Sequence, residues 1–321
     1  MLRSIIIPLL SVSAVFGNPA AAPAVPDIIK GTDHFEFTYQ ITLPAIETSG
    51  RLWIPVASSD RLQQVELEPI PGKNRFKDLS DPDFHNRILF MELRPEDSGR
   101  QITLRYKVTR KEDSGHDADA NELPDLFIKP DTLGPLVPRL AQIAREQTAN
   151  AATPSDKAAA LYRHTLDRMA YDKTGTGWGR GDALHACDSG TGNCTDFHAY
   201  FIALARSIGI PARFSIGFTI PAENDSGVIS GYHCWAEYLA DGRWVPVDIS
   251  EADKHPELSD YYACHHPANR FRLTVGRDLK PDPMPESGPI NFLVYPLVES
   301  GGNVVEIKRE FSFRRLEKAP E

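Results

Sequence analysis

Gly192-Asn193-Cys194-Thr195-Asp196-Phe197-His198 is the stretch from which the rest of this 321-residue chain is read. Gly192 and Asn193 permit a tight turn. From there Phe197, Phe201, Leu204 and Ala205 fall on one helical face. Gly209 and Pro211 end that helix. Cys194 therefore stands in a first helical turn, where backbone N–H groups lack intrahelical partners and the dipole is positive. Both effects favour the thiolate, the nucleophilic form of a cysteine. A cysteine taken alone is more often just buried, so Cys194 has to be judged by its companions.

Those companions lie downstream, in two strands predicted at residues 231–239 and 243–249 and joined by Asp241-Gly242, a strong hairpin pair. A two-residue loop pairs Ala240 with Arg243 and sets Trp235 opposite Asp248. His233, two residues before Trp235, then shares a sheet face with Asp248 as a diagonal neighbour. A carboxylate on one imidazole nitrogen fixes the tautomer and leaves the other to take a thiol proton. Cys194, His233 and Asp248 thus supply a nucleophile, a base and a group that orients the base. Trp235 is expected to shield the His–Asp contact from water.

Four segments now stand in order: Gly192-Asn193-Cys194-Thr195-Asp196-Phe197, Arg206-Ser207-Ile208-Gly209-Ile210-Pro211-Ala212-Arg213, His233-Cys234-Trp235-Ala236-Glu237 and Trp244-Val245-Pro246-Val247-Asp248. Together they resemble the core motifs of the transglutaminase-like superfamily, itself similar to papain-like cysteine peptidases. The resemblance covers roughly residues 155–255. It implies an α+β catalytic core, with a nucleophile-bearing helix packed on an antiparallel sheet, and catalytic roles for Cys194, His233 and Asp248. The implied chemistry is acyl transfer or amide hydrolysis through a thioester on a protein or peptide substrate, in a secreted-type bacterial member of the family. The alternative is a non-catalytic scaffold that keeps the fold.

Other reactive residues admit two readings each. His198, one helical turn after Cys194, is a rival base or a buried, hydrogen-bonded histidine. Tyr171 and Trp178, in or before the Gly-rich segment 174–193, are candidate oxyanion donors or acyl-pocket walls, or simply core aromatics. With Cys194 as nucleophile, Cys187, Cys234 and Cys264 allow one disulfide and one free thiol. A metal centre from Cys194, His198, His233, Cys264, His265 and His266 lacks the usual ligand spacing, and His233 and Cys234 should face opposite sides of the sheet. No metal and no organic cofactor is expected. Residues 250–254 read as a solvated turn.

The flanking sequence supports an enzyme core with an appended β domain. Phe35, Phe37, Tyr39, Ile41 and Leu43 alternate with other residues, as do Ile102, Leu104, Tyr106 and Val108, which predicts a β-sandwich-like domain over 30–112. It carries no reactive cluster, so its expected work is packing or substrate presentation. Residues 113–138 read as a linker and 139–321 as the catalytic domain, closed by a C-terminal hairpin. Thr153-Pro154-Ser155-Asp156 opens a helix. Residues 1–25 have the order of a secretory leader: Arg3, an apolar run, then Ala20-Ala21-Ala22. A secreted or periplasmic protein with no membrane span in its mature form follows. The net charge of −9 is dispersed, which argues against a nucleic-acid partner.

Overall fold

Phe35, Phe37, Tyr39 and Ile41 lie along β1 (Thr32–Thr42) and are all buried, while the residues between them are partly exposed. The structure is a computed structural model and describes residues 28–119 and 124–316. The expected leader, residues 1–25, lies outside the described residues. After β1 come β2 (Gly50–Val56), β3 (Gln63–Leu67), β4 (Lys77–Ser80), β5 (Arg87–Leu93) and β6 (Gln101–Lys111). β1 and β3 flank β6 in one sheet, and β2 and β4 flank β5 in a second. Their inward faces share a hydrophobic core, so the region is the expected sandwich.

Residues 113–138 are not a free linker. They contain β7 (His116–Asp117), which pairs with the strand at Arg243–Val247. Asp131 also ion-pairs with Arg206 at 3.0 Å and Arg277 at 3.2 Å, fixing this segment to the body of the fold. Helices α1 (Pro138–Gln147) and α2 (Pro154–Arg168) follow; α2 starts where expected, at Thr153, and the structure adds a capping box between Thr153 and Asp156. Next come β8 (Ala170–Tyr171), α3 (Ala183–Ser189), β9 (Thr191–Gly192) and α4 (Cys194–Ser207). α3 was not anticipated inside the Gly-rich segment. It is a short helix started by Asp182, whose carboxylate accepts from the Leu184 and His185 N–H groups.

α4 is buried almost throughout and packs on β10 (Ala212–Thr219) and on β12, described below. β11 (Ser226–Val228), β12 (His233–Ala240) and β13 (Arg243–Val247) follow. The β12–β13 register runs from Ala240↔Arg243 to Ala236↔Val247, the predicted one. Asp241 and Gly242 have φ of 51° and 78°, as a type I′ hairpin turn requires. β13 stops before Asp248 because that residue caps α5 (Ile249–Lys254), so the turn expected at 250–254 is a helix with Ile249, Ser250 and Ala252 buried.

The chain ends with α6 (Ser259–Tyr262), β14 (Arg270–Val275), β15 (Leu297–Ser300), β16 (Asn303–Val305) and β17 (Lys308–Arg315). A third sheet, against which α4 packs, has the order β14-β10-β12-β13-β7. The last strands correct the expected domain division. β15 pairs with β2, β16 with β15, and β17 with β1, so the C-terminal strands complete both sandwich sheets instead of closing the catalytic domain. Aromatic packing favours that choice: Phe311 lies 4.7 Å from Tyr39 and 4.5 Å from Phe218 between ring centroids. β11, inserted between β10 and β12 in the chain, also joins the sandwich by pairing with β17. Among the described residues no helix is long and apolar enough to cross a membrane.

Candidate active site

The turn before α4 is held by side chains of its own motif. Asn193 caps the helix, its Oδ1 accepting the Thr195 N–H at 2.9 Å. Asp196 reaches back as the other half of the capping box and accepts the Asn193 N–H at 3.0 Å. The same carboxylate accepts the Gly179 N–H at 2.6 Å and the Gly181 N–H at 3.0 Å. Asp196 therefore pins the Gly-rich loop to the start of α4, even though burial raises its own pKa. Its place at the third helical position was the available clue to this role.

Cys194 is the first residue of α4, and among the described residues its backbone N–H has no acceptor. A hydrogen bond with the Cys234 thiol, opposed by burial, and then the hydrogen bond and charge of His233 hold its thiol well below the usual range. His233 and Cys234 both act on that thiol, His233 from beside Trp235 and Cys234 from beside His198 of α4. Cys194 is 3% exposed and His233 6%.

His233 Nε2 lies 2.7 Å from Asp248 Oδ2. Burial disfavours the imidazolium, but the charge and hydrogen bond of Asp248 outweigh it and push the His233 pKa up to about 9. Asp248 is fully buried, yet His233 and then Arg270 hold it well below the ordinary carboxylate range. Its four hydrogen bonds divide by oxygen, and His198 Nε2 lies 3.8 Å from Oδ1. Oδ2 receives His233 and Arg270 Nη2 at 3.1 Å, while Oδ1 receives the Ser250 hydroxyl at 3.1 Å and the Glu251 N–H at 3.2 Å. Arg270, on β14, is a residue that the sequence did not single out. Trp235 stacks beside His233, ring centroids 6.2 Å apart, and so covers one side of the His–Asp contact.

β14 approaches closely because Gly217 stands opposite both His233 on β12 and Arg272 on β14. A Cβ at Gly217 would lie 1.8 Å from the Phe271 carbonyl oxygen. The absent side chain lets β14 bring Arg270 to Asp248.

His198 takes the second of its two expected roles. It accepts the Ile249 N–H on Nε2 at 3.1 Å and has Nδ1 3.7 Å from Cys234 Sγ. Burial lowers its pKa to about 4, so it is neutral at ordinary pH and structural. All four cysteines are free thiols, so no disulfide joins Cys187, Cys234 or Cys264. Cys234 is committed to the Cys194 and His198 contacts, Cys187 is buried beside α4, and Cys264 contacts its neighbour His265 at 3.1 Å. His266 is buried edge-on against Trp235. Among the described residues, the groups of ligand-type side chains close enough to share an ion are Asp113–His116–Glu237 and His233–Asp248–Glu251, neither of them the cysteine–histidine set considered from the sequence.

A cavity of ≈360 Å³ opens over His233, walled by Tyr171, Tyr232, Glu251, Lys254 and Arg270 among others. Tyr171 has its ring face occupied by Lys254, whose Nζ is 4.0 Å from the centroid, and burial with the nearby Cys194 raises its pKa to about 12. Trp178 does not line this cavity. Tyr232 does, and it accepts a hydrogen bond from Asn193 Nδ2 at 3.1 Å beside the start of α4. Adjacent to His233, it was legible only as a neighbour.

Helix-start thiol, imidazole and carboxylate on one antiparallel sheet define the class. Residues 141–249, about a third of the chain, match the family model described as the transglutaminase-like superfamily. An uncharacterised protein of Haemophilus influenzae is 31% identical over 200 residues, 51% of this chain and 54% of that protein. The chain thus spans about half the length of that curated relative. A crystal structure from Cytophaga hutchinsonii, described as a putative cysteine protease, shares the fold with a TM-score of 0.58 at 16% identity. That match covers 91% of this chain and 93% of the other.

Proposed function

We propose that this protein is a cysteine-dependent acyltransferase or amidase acting on a protein or peptide outside the cytoplasm. The observation that supports this most is the juxtaposition of a helix-start Cys194 with His233, itself 2.7 Å from Asp248. The lowered thiol pKa and the raised imidazole pKa both favour a thiolate–imidazolium pair.

In this reading the Cys194 thiolate attacks an amide carbonyl carbon and the carbonyl oxygen becomes an oxyanion. The unpartnered Cys194 N–H donates to it, and the Tyr232 hydroxyl is placed to be a second donor. His233 passes its proton to the leaving amine, which departs and leaves a thioester on Cys194. A water molecule, or an amine such as a lysine side chain, then gives up its proton to His233 and attacks the thioester. The acid or the new amide is released with the thiolate restored. Asp248 keeps the imidazole oriented throughout. Neither step needs a metal or an organic cofactor.

Mass spectrometry of a peptide mixture incubated with and without an added primary amine tests this. A mass increment equal to the amine supports transfer, and cleavage or deamidation supports hydrolysis. Either product should vanish in Cys194→Ala. A non-catalytic scaffold predicts the same spectra for both proteins.

A further inference from the structure

Among the described residues β11 is an edge strand: β17 lies on one side of it and no strand of the sheet on the other. Its three residues are exposed, and Val228, at 68%, is the most exposed of the large apolar side chains described. Protein sheets usually blunt such an edge with charge, proline or a covering segment. Ser226-Gly227-Val228-Ile229-Ser230-Gly231 carries neither charge nor proline.

The hydrogen bonds show which groups remain free. The Asp225 carbonyl accepts the Arg315 N–H at 2.6 Å, Gly227 is opposite Phe313, and the Ile229 N–H donates to the Phe311 carbonyl at 2.9 Å. Residues 225, 227 and 229 thus face β17. By antiparallel alternation, the N–H and C=O groups of Ser226, Val228 and Ser230 face the open side.

This edge runs into the active site. Val228 to His233 form a continuous border of the ≈360 Å³ cavity over the catalytic histidine. A second hollow of ≈410 Å³, walled by Tyr295, Arg309 and Phe311, also borders residues 228–230. Strand addition to a sheet edge draws affinity from backbone hydrogen bonds and selectivity from hollows that take alternate side chains. The far end of β17 secures the segment, since Arg315 donates to the carbonyls of Pro221 and Asn224 and pairs with Asp33.

We propose that the open edge of β11 captures an extended segment of the substrate polypeptide as an added β-strand and leads it to Cys194. This rests on the acyl chemistry proposed above, and it gives the sandwich a part in substrate choice. Recognition runs through the substrate backbone, so unfolded or extended chains are preferred to compact ones. The path from Val228 to His233 is five residues, about 17 Å when extended, so short amides gain little from the edge.

Hydrogen exchange on the full-length Cys194→Ala protein tests the capture step, with reduced and carboxamidomethylated ribonuclease A as an unfolded probe. The probe should slow exchange across 226–230, whereas native, disulfide-intact ribonuclease A should not. Val228→Pro removes one outward N–H and spares the bonds to β17, so it should weaken probe binding roughly five-fold, the worth of one backbone hydrogen bond. Retained protection at Phe311 and Phe313 reports that β11 is still in place. No slowing across 226–230, or equal binding by Val228→Pro with β11 in place, overturns the proposal. Iodoacetamide labelling of the unmodified protein separates the two readings. Labelling of Cys194 without edge protection removes only the capture step, and edge protection without labelling removes only the chemistry.

Discussion

Arg270 Nη2 stands 3.1 Å from Asp248 Oδ2, the same oxygen that holds His233 at 2.7 Å. Arg270 is fully buried and its charge works in two directions, keeping Asp248 ionised while lowering the pKa of His233. Arg270→Met should therefore move the alkaline limb of Cys194 alkylation above about pH 9. It should also reduce turnover, because the carboxylate is less firmly placed. Arg270→Lys should restore the limb more than the turnover, since it returns charge without the guanidinium geometry. An unmoved alkaline limb in Arg270→Met would show that the arginine is only a structural filler.

The His233–Asp248 pair also sets a pH window for stability. His233 has a raised folded-state pKa, so its contribution is full below about 6.5 and is lost as pH climbs through about 9. Asp248 has a depressed one, so its contribution is present above about 3.9 and is lost as pH falls through the folded value. Thermal melts of Cys194→Ser, which removes the thiolate titration, should fall between pH 6.5 and 9. In Cys194→Ser with Asp248→Asn that decline should flatten.

Asp196→Ala leaves the N–H groups of Gly179, Gly181 and Asn193 without their acceptor. The expected loss is about 3 kcal/mol, from several buried donors left unsatisfied. Denaturant titration measures it. Proteolysis should then cut first within 174–181, the stretch released from α4.

Gly217→Ala places a methyl carbon where the Phe271 carbonyl now lies, so β14 has to retreat. Its expected signature is functional as well as structural: Arg270 moves with β14, and turnover falls along with melting temperature. A variant that loses stability but keeps wild-type kcat would separate Gly217 from the site.

Much of the site was legible because it depends on local rules. The Asp241-Gly242 turn fixes the β12–β13 register, and register parity brings Asp248 to His233. Likewise Asn193 and Asp196 announce where α4 begins, which places Cys194. Arg270 and Gly217 were not legible, since they act through a β10–β14 pairing between residues some fifty positions apart with no turn to set its register. The C-terminal strands were misplaced for a related reason. A closing hairpin is legible, but not that its second arm divides into β16 and β17 or which sheets they complete, and long-range packing of Phe311 and Phe313 against β1 settles the place of β17. Tyr232 was overlooked because its position beside Asn193 appears only once β12 and α4 are in contact.

Whether Cys194 is a thiolate paired with His233 is read most directly from its rate of alkylation by iodoacetamide at pH 6, followed by mass spectrometry. The account predicts rapid, selective labelling of Cys194, with a rate nearly level up to about pH 9, where His233 loses its proton. An ordinary thiol of pKa about 8.5 would react about 300-fold more slowly at pH 6 than when fully ionised. His233→Ala should show that slow behaviour. Wild-type protein that shows it too, or leaves Cys194 unlabelled while folded, would contradict the account.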